Sequence, residues 1–239
     1  MKTSSFWRLG LALGAAILTI GAASPQGTSH ATSTISNPLI PRLSDAPGAG
    51  SPTLIDKLHK GGYVIFFRHG ATDWAQRDEM GSDFENRSLQ RNLSEAGKAD
   101  AASIGKSFQA LTIPIDSVFA SPMWRCRDTA QLAFGRYEVK MELFGKGAVA
   151  KGTTVSVPPE GTSYRQARIK MLSTAPTAGM NRVLVGQQDP IIPLIKGLHR
   201  DELREGDALV IQPLGAGKYK VVCQVTPADW ARLAAEAAK

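Results

Sequence analysis

The chain has 239 residues, of which 43% are hydrophobic and 21% charged, and it carries a formal net charge of +7. Its Lys and Arg residues are dispersed and are not interleaved with aromatic residues, so the pattern does not support nucleic-acid binding, while the mild positive charge favours anionic ligands. Neither of the two cysteines belongs to a Cys/His cluster with metal-ligand spacing. We therefore expect no metal, and nothing in the sequence indicates a cofactor.

The N-terminal residues have the pattern of a signal peptide. Lys2 and Arg8 precede an uncharged apolar stretch, residues 9–23, which ends in small residues. The stretch is shorter than the roughly 20 residues that span a bilayer. We expect residues 1–23 to be removed on export, leaving a periplasmic or secreted protein with no stable membrane anchor. Loss of the two cations lowers the Lys and Arg count from 28 to 26 against 21 Asp and Glu, a net charge of +5. An uncleaved N-terminal anchor is the alternative.

Two further regions follow the predicted signal peptide. Residues 24–51 are rich in Ser, Thr, Pro, Gly and Ala, which predicts a flexible linker or a loosely docked arm. Residues 52–239 contain no internal repeat and are long enough for one domain with a sizeable core.

Apolar periodicity and capping residues predict alternating helices and strands along this domain. The predicted strands are 63–67, 117–120, 137–141, 182–185, 208–212 and 219–225, and the predicted helices are 51–60, 94–111, 121–134, 164–172, a short one from 189 and a closing one from 226. This order predicts an α/β fold, a three-layer α/β/α sandwich with a mostly parallel central sheet and an antiparallel edge. Ligands bind such sheets at the carboxyl ends of the strands, here near His69, Ser121 and Gly186.

The first predicted strand ends in Arg68-His69-Gly70. An Arg and a His in this place, beside a Gly that lets a ligand approach the backbone, predict an anion site. Imidazole can act as a nucleophile towards phosphorus, and a guanidinium can hold the phosphate. A solvated Arg with a structural His is the alternative interpretation.

The second predicted strand ends at Ser121-Pro122. We expect Ser121 to cap the next helix and Pro122 to take its first position, so that Arg125 lies one turn in, near the positive end of the helix dipole. Free backbone N–H groups at such an end favour a bound phosphate. An ordinary surface Arg is the alternative.

The sequence resembles the histidine phosphatase superfamily, which also contains the cofactor-dependent phosphoglycerate mutases. Four segments carry the resemblance in the right order: Phe67 to Trp74, Asn92 to Gly97, Ser121-Pro122 with Arg125 and Thr129-Ala130, and Val183 to Gly186. The resemblance implies that His69 is the phosphorylated nucleophile and that Arg68 and Arg125 clamp the phosphoryl oxygens. Thr72, within the first segment, and Gln187 are the candidate substrate-binding residues.

The chain departs from the family pattern at Gln187, where the family has a second His. A Gln amide can donate a hydrogen bond to a phosphoryl oxygen, but it carries no charge and does not titrate. By analogy with deleted oxyanion donors, loss of a cationic donor should lower the rate about 10²–10³-fold. His199, beyond the next predicted helix, is a substitute that its spacing does not require, and a solvated loop His is favoured there.

The second departure from the family pattern concerns the general acid, for which the sequence offers no obvious residue. Glu142 lies close to the position of the family's Glu, and Asp189 is the possible counterpart of an Asp that other members use, although a helix cap is the favoured role for Asp189. Glu160 is a weaker candidate. Some members that hydrolyse phosphohistidine have no clear acid, so the alternatives stay open.

The leading functional hypothesis is a phosphomonoester hydrolase that acts through a phosphohistidine intermediate, with reduced activity because of Gln187. Its expected partners are a small phosphorylated substrate or a phosphoprotein, and export disfavours a glycolytic mutase. A catalytically impaired phosphate-binding or interaction module of the cell envelope is the main alternative, and a purely structural role is a third.

The two cysteines fall on different predicted elements. Cys126 falls on the predicted helix that follows Ser121, and Cys223 falls on a late strand. An exported protein with an even cysteine count can form a disulfide. Two buried free thiols are the favoured alternative.

Overall fold

The computed structural model describes residues 40–43, 53–79, 83–144 and 163–239. The predicted signal peptide, most of the predicted linker and Glu160 lie outside the described residues. No helix in the described part of the chain has the length and apolar character needed to cross a membrane.

A six-stranded sheet forms the middle of the domain. Its strands are β1 (Val64–Arg68), β2 (Ile115–Ala120), β3 (Glu138–Val139), β4 (Asn181–Gly186), β5 (Ala208–Gly215) and β6 (Lys218–Val225). The strand order is β3-β2-β4-β1-β5-β6, with parallel pairing from β3 to β1 and antiparallel pairing of β5 and β6 at one edge. This arrangement confirms the predicted mixed sheet, and it brings the carboxyl ends of β2, β4 and β1 side by side.

Helices cover both faces of the sheet. They are α1 (Leu54–Lys60), α2 (Glu95–Ala110), α3 (Trp124–Phe134), α4 (Tyr164–Ser173) and α5 (Pro227–Ala237), with short 3-10 helices at Arg87–Leu89, Met141–Leu143 and Ile192–Leu194. Side chains alternate across a strand, so Ile65 and Phe67 join one core with α1, α2, α3 and α5, while Val64 and Phe66 join a second core with α4. β1 reads as a continuous apolar run because both of its faces are covered. The predicted three-layer sandwich is confirmed.

Two predicted helix starts are wrong. Ser121 does not cap α3: its backbone N–H donates to Val185 O at 2.8 Å and so extends the pairing with β4, and α3 begins at Trp124 after Met123. The pairing with β4 continues through Ser121, so the helix starts only at Trp124, three positions later. The first helix begins at Leu54 and not at residue 51, because Thr53 forms a capping box with Asp56.

Two predicted elements after β2 are shorter than expected. The third strand was predicted over residues 137–141, but only Glu138–Val139 pair with β2, since the chain turns into the 3-10 helix at Met141. The short helix predicted from Asp189 is the 3-10 helix Ile192–Leu194, and Ile191 precedes it, so Asp189 does not act as its cap.

Residues 40–43 of the predicted linker lie along β6. The backbone N–H of Gln224 donates to Pro41 O at 2.8 Å, Arg42 pairs with Gln224, and Ile40 is buried. This contact covers part of a strand edge that would otherwise be open to pairing.

Candidate active site

His69 follows β1 and is held by the backbone on both sides. Its N–H donates to Gly186 O at 3.1 Å, at the end of β4, and its carbonyl accepts from the N–H of Gly206 at 2.8 Å, in the loop before β5. These two bonds fix the residue at the carboxyl edge of the sheet, where the parallel strands were expected to place the chemistry.

Gly70 lies against the first turn of α2, and the predicted approach of a ligand to its backbone stays a prediction. A Cβ at Gly70 would lie 2.8 Å from the carbonyl oxygen of Gly97, and a Cβ at Gly97 would lie 2.0 Å from the carbonyl oxygen of Ala71. The two glycines therefore let the first turn of α2 pack against the loop that follows His69. The structure accounts for Gly70 by this helix contact.

The imidazole of His69 is buried and favours a neutral form. Its Nδ1 lies 2.9 Å from Gly70 O, which fits the tautomer that carries the proton on Nδ1 and leaves Nε2 with a free lone pair. Burial, followed by the charges of Arg125, Arg68 and Arg91, lowers the pKa of His69 well below its ordinary value, although the bond to Gly70 opposes the shift. A neutral imidazole with an unprotonated Nε2 is the form that can attack phosphorus.

The guanidinium of Arg68 is held by groups that lie far away in the sequence. Its Nη1 donates to Leu203 O at 2.8 Å and to Gln188 Oε1 at 3.3 Å, and its Nη2 lies 3.5 Å from Glu205 Oε1. Burial lowers the pKa of Arg68, and Glu205 partly offsets this effect. The Nε of Arg68 is buried without a hydrogen-bond partner among the described residues, so the guanidinium retains donor capacity.

Thr72 contacts the same carboxylate as Arg68. Its hydroxyl donates to Glu205 Oε1 at 2.9 Å and its backbone N–H donates to Glu205 Oε2 at 3.1 Å. Glu205 therefore bridges the loop after β1 and the guanidinium of Arg68. In this structure Thr72 contacts Glu205, which in turn contacts Arg68. The predicted contact of Thr72 with a substrate stays a prediction.

Arg125 lies in the first turn of α3 and is 6% exposed. Its Nη1 donates to Asp78 Oδ1 at 2.9 Å and to Arg91 O at 3.2 Å. Its buried Nε finds no partner within the described ranges. The guanidinium of Arg91 stacks over the ring of Trp74, with 3.8 Å from Cζ to the ring centroid. The loop between β1 and α2 thus brings both a third cation and a carboxylate to the predicted site.

Gln187 lies next to the thiol of Cys126. Its Nε2 is 3.3 Å from Cys126 Sγ, while its Oε1 is buried with no hydrogen-bond partner in the described part of the chain. Burial raises the pKa of Cys126 to about 12, so the thiol stays protonated and can donate. A rotation of the amide by half a turn would set Oε1 against this S–H group and free the N–H groups for an anion. Both cysteines are buried and free, as the favoured alternative predicted.

The candidate acids and His199 occupy different surroundings. Glu142 is buried, its Oε2 has no partner among the described residues, and its charge acts on Tyr164 and Arg168. Asp189 is exposed and pairs with Arg200 at 2.9 Å. His199 lies in an exposed loop, where its N–H donates to a neighbouring Glu side chain. The charges that act most strongly on His69 are those of Arg125, Arg68 and Arg91, and no carboxylate is among them.

A cleft of about 470 Å³ contains two of the predicted site residues, Arg125 and Gln187. The other residues in its wall are two arginines, an aspartate and an apolar group: Arg165, Arg168, Asp189, Phe144, Pro190, Pro193 and Leu194. The volume is in the range of small-molecule sites, which is roughly 300–1,000 Å³. Within the described ranges, no group of three or more His, Cys, Asp or Glu residues is arranged to hold a metal ion.

Residues 64–144 match the family model of the histidine phosphatase superfamily (branch 1). Over these residues the chain is similar to the histidine phosphatase superfamily. The match includes Arg68, His69 and Arg125, whereas Gln187 follows it in the chain. A search among curated proteins finds no match.

Several solved structures of phosphatases are similar to this chain. The protein histidine phosphatase SixA complexed with tungstate is 13% identical, with a TM-score of 0.46 over 70% of this chain and 98% of that chain. A putative phosphohistidine phosphatase SixA from Agrobacterium tumefaciens is 18% identical, with a TM-score of 0.45 over 70% and 99%. A phosphoserine phosphatase mutant from Entamoeba histolytica in complex with phosphoserine is 15% identical, with a TM-score of 0.43 over 68% and 95%. The likeness to the superfamily rests on residues 64–144.

Sequence reasoning missed several residues that hold the site together. Glu205 contacts Arg68, Asp78 contacts Arg125, and Arg91 is a third cation near His69. All three lie in loops, where no periodicity marks them. For Arg91 there was one usable signal, because it stands just before Asn92 to Gly97, a segment that carries the family resemblance.

Proposed function

We propose that this chain is a phosphomonoester hydrolase that acts through a phosphohistidine on His69. The observation that carries the proposal is the state of that residue: a buried, neutral imidazole whose Nε2 is free and whose strongest charged neighbours are Arg125, Arg68 and Arg91. Three cations around a neutral nucleophile suit a dianionic phosphoryl group, because they compensate its charge without protonating the nucleophile.

The reaction has two steps. In the first, Nε2 of His69 attacks phosphorus, the bond from phosphorus to the ester oxygen breaks, and the leaving alkoxide takes a proton. In the second, a water attacks phosphorus, the nitrogen–phosphorus bond breaks, and inorganic phosphate leaves. Arg68 and Arg125 stabilise the equatorial oxygens in both steps. The proton for a poor leaving group comes from Glu142 or Asp189, and a good leaving group needs neither.

A catalytically impaired phosphate-binding module is the second candidate. Two observations favour it: Gln187 brings no charge, and Arg125 is paired with Asp78 at 2.9 Å, so a phosphate must compete with a carboxylate. The predicted signal peptide, residues 1–23, supports a periplasmic or secreted location for either function. Substrates found there, such as an envelope sugar phosphate, a nucleotide or a phosphorylated protein, fit both candidates.

The test compares the wild type with His69→Ala. We expect the wild type to hydrolyse p-nitrophenyl phosphate between about pH 4 and about pH 8, and His69→Ala to lose this turnover because the nucleophile is absent. Rapid quenching at alkaline pH followed by mass spectrometry should find the added phosphoryl group on the peptide that contains His69. Arg232→Gln, on the exposed side of α5, is a matched control for the loss of a side chain elsewhere. A phosphate-binding protein without turnover would establish the second candidate, and turnover that survives His69→Ala would overturn the proposed nucleophile.

A further inference from the structure

The loop before β5, residues 202–207, holds Arg68 at three points, and we call it the Arg68 loop. The Nη1 of Arg68 donates to Leu203 O at 2.8 Å, and its Nη2 lies 3.5 Å from Glu205 Oε1. The backbone N–H of Arg68 donates to Asp207 O at 2.9 Å. Because this loop contacts both the backbone and the guanidinium, the direction of the guanidinium depends on where the loop lies.

The Arg68 loop is in turn held by the side chain of Gln224, in β6. Its Nε2 donates to Glu202 O at 2.6 Å and to Asp207 Oδ2 at 2.8 Å. Gln224 is 4% exposed, so an apolar side chain in its place would leave two buried acceptors without this donor. One amide thus ties together the first and the last residue of the loop.

The backbone of Gln224 carries a second contact, with residues 40–43, which we call the docked segment. The N–H of Gln224 donates to Pro41 O at 2.8 Å. Ile40 is 2% exposed and belongs to the same core cluster as Leu203. The docked segment is therefore joined to the Arg68 loop in two ways, through Gln224 and through the core that Ile40 shares with Leu203.

The charges around Asp207 agree with this arrangement. Asp207 is buried, and burial raises its pKa. The hydrogen bonds from Arg204 and Gln224 oppose this shift, and so does the positive charge of Arg42 in the docked segment. The docked segment thus brings a cation that favours the carboxylate to which Gln224 donates.

We propose that the docked segment and Gln224 are positioning elements of the active site, which fix the Arg68 loop and through it the guanidinium of Arg68. A guanidinium that binds a phosphoryl group must be held in its productive geometry by surrounding contacts, and small displacements lower the rate strongly. The docked segment lies outside residues 64–144, the part that matches the family model. The inference rests on the proposed function, because it takes Arg68 to bind the phosphoryl group.

The test weakens each positioning element in the full-length protein. Ile40→Ser removes the apolar anchor of the docked segment, and Gln224→Leu removes the two side-chain hydrogen bonds at similar size. In each variant the Kd for inorganic phosphate, measured by calorimetric titration, should rise about threefold to thirtyfold. The kcat/KM for p-nitrophenyl phosphate should fall by a similar factor. The conservative variant Ile40→Val should keep most of the affinity of the wild type.

Two controls separate positioning from a general loss of stability. Ile113→Ser makes the same replacement in the other core, just before β2. It should also lower the free energy of unfolding, but the Kd for phosphate should stay within about twofold. The second control is a double-mutant cycle with Arg68→Ala. Once Arg68 is replaced, Ile40→Ser and Gln224→Leu should have no further effect on the Kd.

Each outcome supports or overturns the positioning role. An unchanged Kd and kcat/KM in Ile40→Ser and Gln224→Leu overturn it while the phosphatase stands. An equal effect in the presence and absence of Arg68 overturns it too, because the replacements then loosen the fold in general. If Ile40→Ser fails to fold, Gln224→Leu and its cycle with Arg68→Ala decide the question.

Binding of phosphate separates this proposal from the proposed function. If the wild type binds inorganic phosphate without turnover, and the Kd depends on Ile40 and Gln224 only while Arg68 is present, the positioning role is supported and the phosphatase is overturned. A wild type that neither turns over p-nitrophenyl phosphate nor binds inorganic phosphate overturns both.

Discussion

Gln187→His tests how far the absence of a second histidine limits the enzyme. Gln187 lines the cleft with Arg125 and places its amide 3.3 Å from Cys126 Sγ, so a histidine at this position would enter the same cleft. A preorganised charged donor contributes about 1.4–4 kcal/mol in a dry site, which corresponds to a gain in kcat of about tenfold to a thousandfold. The affinity for inorganic phosphate should change less, since Arg68 and Arg125 remain.

The local charges also predict how the gain depends on pH. Arg125 and any histidine introduced at position 187 would repel each other once the histidine is protonated, so the free enzyme should hold this histidine mostly neutral near pH 7 and charge it as the pH falls. The ratio of kcat/KM between Gln187→His and the wild type should therefore rise below about pH 6.5. His69 does not cancel this rise, because its own pKa is lowered well below the ordinary value.

The assay measures kcat and KM for p-nitrophenyl phosphate in the wild type, in Gln187→His and in Gln187→Leu, which removes the amide at similar size. The double variant Gln187→His with His69→Ala should be inactive, which would show that the gain uses the same nucleophile. A fully active wild type together with a neutral or harmful Gln187→His would refute the reasoning, because another group would then complete the site. If neither protein turns over while both bind phosphate, the phosphate-binding module is the better account.

Three further predictions are open to direct measurement. The pKa of His69 is lowered in the folded protein, so the unfolded chain binds more protons as the pH falls through about 6.5. The stability that is present above that pH is therefore lost below it. The melting temperature of the wild type should fall more between about pH 7 and about pH 5 than that of His69→Asn. A parallel pH dependence in both proteins would contradict this. Gly97→Ala would set a Cβ 2.0 Å from Ala71 O. In a denaturant titration this variant should have a free energy of unfolding lower by about 1–3 kcal/mol or more. The control Lys106→Ala, on the exposed side of the same helix, should have little effect on the free energy of unfolding. Mass spectrometry of exported protein should find residues 1–23 removed, and material that still begins at the first residue would refute the predicted signal peptide.

The sequence by itself determined those features that depend on local pattern. The apolar run before Arg68 predicts a buried strand with His69 at its end, and Ser94 with Glu95 predicts the start of α2, which begins there. These predictions hold because the apolar run of a strand covered on both faces, and the capping residue of a helix, lie within the segment itself. The alternation of these elements was sufficient to predict the sheet and its two layers of helices.

Only the tertiary structure decided how the catalytic side chains are held. Glu205 reaches Arg68 across 137 positions of the chain and Asp78 reaches Arg125 across 47, and in both contacts the acid lies in a loop that has no period to mark it. Ser121-Pro122 has the sequence of a helix start, yet the pairing with β4 continues through the backbone N–H of Ser121 and α3 begins at Trp124. Long-range contacts of this kind depend on where the folded sheet places loops that are distant in the sequence. That placement is set by the whole chain, so no short segment predicts it.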